Sequence, residues 1–312
     1  MIPNEYSFTR YLAAKKSVDD RALNAHVWHA LADEVSALQH TCAPVPLCVL
    51  EVGAGIGTMI ERLLERNLLA RADYHAVDEQ TENMKAASAR LRAWTAARNF
   101  TLTEGPGDIL QVTGPAGQPA ISIMLETGDA LELASRSESA ARYDLLIAHA
   151  FLDLVHLPRA LPRLLRTLRP GGLLYATINF DGVTAFEPAI DPPLDAVIER
   201  LYHQTMDGRL IRGQPSGDSH SGRHLLAQLA ASGAEILAAG ASDWVVHARR
   251  GRYPQDEAYF LHFITRTVAG ALQDHPELDG PAFEAWIAAR HAQIERGELI
   301  YIAHQLDVLA RL

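Results

Sequence analysis

Residues Pro46 to Asp78 restrict the fold more than any other part of this chain. A short apolar run, Pro46-Leu-Cys-Val-Leu-Glu51, passes into Glu51-Val-Gly53-Ala54-Gly55-Ile-Gly57. Thr58 to Asn67 follow, with Ile60, Leu63 and Leu64 on one side at helical spacing. Asp73-Tyr-His-Ala-Val-Asp78 is a second apolar run that ends in an acid, and Met84, Ala87 and Leu91 mark another helix behind it. This is strand, turn, helix, strand: a βαβ unit. Glycines at every second position let the backbone turn sharply and come close to a ligand. A helix starting near Gly57 presents unpaired N–H groups and a positive dipole end, which suits a small anionic or zwitterionic ligand.

The alternation continues along the chain. Phe100 to Pro119, punctuated by Gly105-Pro-Gly107 and Gly114-Pro-Ala-Gly117, predicts a β-hairpin insertion. Further strands are expected at Ile121–Glu126, Tyr143–Ala148, Leu173–Ile178, Ala234–Val246 and Leu299–Leu309. Leu161, Leu164, Leu165 and Leu168 mark a helix closed by Arg169-Pro-Gly-Gly172, and Gly222–Ala231 another. Insertions are expected at about 100–119, 182–219 (with a helix near Leu194–Gln204) and 254–296, the last mostly helical. The first 40 residues look helical, with Ser17 and Asp20 resembling a capping box and Leu23, Val27 and Leu31 repeating every four residues. The expected class is α/β, a doubly wound sheet with helices on both faces, where ligands bind beyond the carboxyl ends of the strands.

Charge narrows the partners. The formal net charge of −10 disfavours binding to a phosphate backbone, so no nucleic-acid partner is expected, and the arginines from Arg159 to Arg169 are read as a solvated face. No apolar stretch of about 18 residues and no signal-like start appear, so no membrane partner is expected and a soluble, cytoplasmic protein is. Cys42 and Cys48 are too few for a disulfide framework, do not have zinc-site spacing, and are expected to be buried thiols.

Two cofactors use a glycine turn of this kind. A dinucleotide fingerprint wants glycine three residues after Gly55, and Thr58 stands there. The run Glu51-Val-Gly53-Ala54-Gly55-Ile-Gly57 instead resembles motif I of the class I S-adenosylmethionine-dependent methyltransferases, of the small-molecule type. The resemblance continues at Asp78, at Thr127-Gly128-Asp129-Ala130, at Tyr143-Asp144-Leu-Leu and at Leu168-Arg-Pro-Gly-Gly172. It implies a Rossmann-like, seven-stranded, mostly parallel sheet spanning 46–312, with residues 1–45 as a helical lid. It also implies S-adenosylmethionine as cofactor, S-adenosylhomocysteine as product, and methyl transfer to O, N or S of a small molecule. Glu51, Gly53, Ala54, Gly55, Gly57, Asp78, Glu79, Gly128, Asp129, Ala130 and His149 would line the cofactor. Asp78 would hold the ribose and Asp129 would lie near the adenine amino group.

Methyl transfer needs mainly alignment, with a base where the nucleophile is protonated. His149, directly after a strand, is the first candidate base, with Asp153 one helical turn on as its orienting partner. The plainer reading makes both turn caps. His149, Asp153 and His156 also have helical metal-ligand spacing, but two imidazoles do not suit magnesium, and no metal is expected. Asn179 and Arg223 are candidate substrate ligands, with Phe180, Asp181, His220 and His224 near them. Tyr11, Lys15, Lys16 and Arg21 belong to the lid, and Trp244, Tyr253, Tyr259 and Phe260 to packing. A catalytically silent cofactor-binding partner protein and an NAD(P)-dependent oxidoreductase are the alternatives. A monomer or homodimer is expected.

Overall fold

In the computed structural model, which describes residues 2–115, 119–211 and 213–312, one sheet of ten strands forms the centre of the molecule. In chain order, β1 is Leu47–Val52, β2 Arg71–Asp78, β3 Thr101–Glu104, β4 Leu110–Thr113, β5 Ala120–Thr127 and β6 Tyr143–His149. They are followed by β7 Leu168–Glu187, the short pair β8 Leu210–Ile211 and β9 Gln214–Pro215, β10 Glu235–Ala241, β11 Trp244–Val246 and β12 Ile300–Arg311. The order across the sheet is β10-β12-β7-β6-β1-β2-β5-β4-β3, with β11 on β12. The stretch from β5 through β2, β1 and β6 to β7 is parallel, while β12 runs antiparallel to both β7 and β10.

The seven strands expected from the resemblance are all present, and the sheet has three more. The hairpin β3–β4 adds two strands beside β5, and the single strand expected at 234–246 breaks after Ala241 into β10 and β11. The hairpin's second punctuation, Gly114 to Gly117, runs into residues outside those described. The second insertion also begins later than 182, because β7 continues to Glu187 and pairs there with Ile300.

Burial on both faces explains why the central strands read as continuous apolar runs. Leu47 and Val49 of β1, with Leu145 and Ile147 of β6, face a core with the second, third and fourth helices: α2 Ala25–Cys42, α3 Thr58–Glu65 and α4 Thr81–Ala97. Leu50, Val52, Leu146 and Ala148 face the other side, covered by α5 Ala130–Ser135, α6 Leu157–Leu165 and α8 Ser221–Ala231. A third core lies beyond the strand ends, where α1 Phe8–Ala22, α7 Pro192–Asp207, α9 Glu257–Leu272 and α10 Gly280–Arg296 meet the extended parts of β7 and β12.

Helix α1 starts earlier than the Ser17/Asp20 signal suggested. Ser7 is its cap, accepting from Arg10 N, and Ser17 and Asp20 lie inside the helix. Leu23 falls in the break before α2, whose cap is Asn24. The ring of Tyr11 stacks on Phe263 at 4.1 Å, and Ser17 and Arg21 both bond the fully buried Glu257 of α9. The amino-terminal helix is thus fastened to the carboxyl-terminal insertion. Cys42 and Cys48 are half-buried rather than enclosed, because each lies at an element end near the surface.

Candidate active site

Strand β1 leads directly into the glycine turn. Gly53, Gly55 and Gly57 have φ of 66°, 55° and 76°, a region that favours glycine, so no other residue fits this path without strain. A Cβ at Gly53 would come within 2.5 Å of the Phe151 ring. Asp78, at the end of the adjacent strand β2, fixes the turn. Its Oδ2 accepts from Gly55 N at 2.9 Å, and its Oδ1 accepts from Gln80 N and Asn83 Nδ2. Ala54 is buried and Glu79 exposed.

Glu51 lies beneath the turn, buried, and its Oε2 accepts from the Tyr74 hydroxyl at 2.7 Å. Burial pushes its carboxyl up to about 7, against the pull of Tyr74 and Arg62. At the end of β5, Gly128 N donates to Asp78 O, which draws the third strand end against the second. Asp129 caps α5 through Oδ1, accepting from Leu131 N and Glu132 N, and it is exposed. Ala130 is buried under it. Three successive strand ends therefore carry a backbone cradle, a fixed carboxylate and an exposed carboxylate.

His149 ends β6, and the structure gives it different partners from those expected. Ala150, with φ of 50°, turns the chain sharply, and residues 152–154 form a short 3₁₀ turn instead of an α-helix. The i, i+4, i+7 face of His149, Asp153 and His156 therefore does not form, and the expected His149–Asp153 hydrogen bond is absent. Nδ1 of His149 lies 2.8 Å from Thr177 Oγ1, and Nε2 lies 3.0 Å from Asp19 Oδ2 of α1 and 3.2 Å from Arg62 Nη1 of α3. Arg62 only donates and a carboxylate only accepts, so the two compete for Nε2. Burial and the Arg62 charge push the imidazole down to about 4, against the bond to Asp19, so the ring is neutral at physiological pH.

Asp19 joins the rest of this buried cluster. It accepts from Lys15 Nζ at 2.6 Å and Trp244 Nε1 at 2.9 Å, with Arg62 Nη2 at 3.5 Å. Although burial alone would raise its carboxyl, Lys15, His149 and Arg62 hold it well below the usual range. Arg62 is 1% exposed and also donates to Asp20 at 2.6 Å, while Lys16 pairs with Asp20 at 2.8 Å. Asp19 and Arg62 were missed in the sequence. The signal was present, because Arg62 lies on the same face of α3 as Met59 and Leu63, where an unpaired charge is not tolerated.

The other candidates are placed as follows. Asn179 is fully buried, and its Nδ2 donates to Leu306 O across the β7–β12 seam, so it is a strand-fastening residue rather than one lining an opening. Arg223 makes a two-pronged pair with Asp181 at 2.8 and 2.9 Å, which commits its guanidinium. His220, at the start of α8, and His224, within its first turn, are tied to Asp218, and the neighbouring Ser219 to Asp207. Trp244, Tyr259 and Phe260 pack in the third core with Tyr253 against it, as expected, and Trp244 also serves Asp19. Arg21 reaches Glu257, away from the glycine turn.

Residues 50–174 match the family model described as a methyltransferase domain, which spans β1 into β7. This stretch of the chain carries a methyltransferase domain. No curated protein matches it. It is similar in structure to a protein from Anaeromyxobacter dehalogenans assigned as a type II methyltransferase, at 20% identity over 90% of this chain and 95% of that one, TM-score 0.45. It is also similar to the geranyl diphosphate C-methyltransferase of Streptomyces coelicolor A3(2), at 9% identity over 89% and 79%, TM-score 0.41. A third similar structure is phosphoethanolamine N-methyltransferase 2 of Haemonchus contortus, at 12% identity over 99% and 61%, TM-score 0.39. No helix among the described residues is long and apolar enough to cross a membrane.

Proposed function

We propose that this chain is an S-adenosylmethionine-dependent methyltransferase of class I that acts on a small molecule, carrying the methyl group to an oxygen, nitrogen or sulfur atom and releasing S-adenosylhomocysteine. The observation behind this reading is the cover over the ends of β6 and β7. His149 is bonded to Asp19 of α1, while Asp153 has Tyr11 of α1 and Tyr202 of α7 as charge neighbours. A macromolecular acceptor needs an open cleft, and an enclosed one suits a small ligand.

The residues fit the cofactor. Gly53, Ala54, Gly55 and Gly57 let the backbone and the start of α3 come close to where its amino-acid end would lie. Asp78, oriented by three donors, would hold the ribose hydroxyls, with Glu79 beside it. Asp129 would take the adenine amino group, with Gly128 and Ala130 beside it. When bound, the cofactor supplies a sulfonium whose methyl carbon is open to in-line displacement. The chain's part is to orient the acceptor and exclude water, and α1 serves as the lid. His149 holds that lid to the strand end through Asp19, and Asp153 follows four residues later in the chain.

The test is transfer of labelled methyl from S-adenosylmethionine to a metabolite panel, followed by mass spectrometry of the product. A methylated small molecule together with S-adenosylhomocysteine supports the reading. Cofactor binding without any product would instead favour the silent partner protein.

A further inference from the structure

We propose that the acceptor is a small amine, received as its ammonium by the Asp153 carboxylate. This rests on the methyltransferase reading above. The carboxylate of Asp153 accepts no hydrogen bond from any other residue among those described, and its Oδ1 is buried without a partner. A buried acceptor left unmade is costly, so a built site of this kind calls for a donor from outside the chain.

Two cations lie close enough to answer it, and both are committed elsewhere. Arg209 donates to the Asp153 and Ser216 carbonyls, not to the carboxylate. Lys15 is paired with Asp19 at 2.6 Å and lies over the Trp244 ring at 5.1 Å. The hydroxyls of Tyr11 and Tyr202 also have no partner among the described residues, and both lie in the electrostatic neighbourhood of Asp153. Tyr11, Tyr202 and Asp153 are each partly accessible, so a ligand can reach them from solvent. A carboxylate without a donor, beside two hydroxyls free to accept, matches an ammonium, which gains charge-assisted hydrogen bonds. A carboxylate or phosphate acceptor would meet like charge there.

Asp153 also accounts for the proton. The ammonium passes one N–H proton to the Asp153 carboxylate, which frees the nitrogen lone pair. That pair forms the N–C bond to the sulfonium methyl as the C–S bond breaks and its electrons return to sulfur. The products are the methylated ammonium and S-adenosylhomocysteine, and the proton on Asp153 leaves to solvent.

Isothermal titration of the full chain tests this with three probes of one size: 2-phenylethylamine, 2-phenylethanol and phenylacetate, each with S-adenosylhomocysteine present. The amine is expected to bind at least about tenfold more tightly than the alcohol and the acid, and Asp153→Asn to erase that preference. An equal or reversed ranking in the wild type, or no heat from the amine at millimolar concentration, overturns the proposal without any variant having to fold. A folded D153N that keeps the ranking overturns it too. Titrating S-adenosylhomocysteine alone beforehand keeps the two failures apart, since loss of cofactor heat counts against the methyltransferase reading only.

Discussion

Two buried groups with opposite protonation behaviour sit on either side of the glycine turn, and their opposition sets the pH response of the fold. His149 is held down to about 4, so between that value and its ordinary 6.5 the unfolded chain carries the extra proton. Its contribution is therefore complete above 6.5 and fades as pH falls towards 4. Glu51 is pushed up to about 7 from 4.5, so the folded chain keeps its proton longer, and that contribution is lost as pH rises through this window. Asp307, raised to about 6, acts in the same direction as Glu51. Glu51→Gln removes the larger opposing term. Its Tm is expected to climb more steeply than the wild type's between pH 4.5 and 6.5, as followed by circular dichroism; parallel curves would contradict the assignment. Gly53→Ala is expected to cost about 1–2 kcal/mol by urea denaturation, because it meets both a left-handed backbone and the Phe151 ring. The glycines and Asp78 were legible because their geometry needs those residue types. The partner of His149 was not, since nothing local to residues 149–156 points to Asp19, which lies 130 positions away.

The element that most changes the picture is α1. Sequence spacing gave a helix there but misplaced its start, because Ser17 and Asp20 look like a cap while their side chains serve Glu257 and Arg62. The Lys15–Asp19–Arg62–His149 cluster joins α1 to α3 and to the end of β6, and Tyr11 and Arg21 join it to α9. Removing one member leaves buried charge unmatched. Asp19→Asn is therefore expected to destabilise the chain by about 3 kcal/mol in urea denaturation, and to raise amide exchange in α1 first. Uniform exchange across the sheet would argue against α1 as a separately opening lid. The two strained residues near this junction, Ala150 and Ile178 with φ of 50° and 57°, lie on either side of the His149–Thr177 contact. Such outliers persist where surrounding structure over-determines them and gather at functional sites. Neither was visible in the sequence, because an alanine and an isoleucine carry no turn signal.

At the scale of the molecule, the doubly wound class was readable from the alternation of strands and helices, and β1, β2, β5, β6 and β12 fell within two residues of their expected bounds, whereas β7 starts at Leu168, inside the helix expected to close at Arg169–Gly172. The additions were harder. The hairpin β3–β4 was visible as a hairpin but not as part of the main sheet, and the extension of β7 to Glu187 depends on its pairing with β12 more than 100 residues later. On the reading proposed above, the three strand ends at Gly53–Gly57, Asp78 and Asp129 hold one S-adenosyl ligand. Isothermal titration with S-adenosylhomocysteine, on the wild type and on Asp78→Ala, tests it. A single saturable site is expected in the wild type, weakened by at least about tenfold in the variant. No heat at millimolar ligand, or equal affinity in the two proteins, would overturn that assignment.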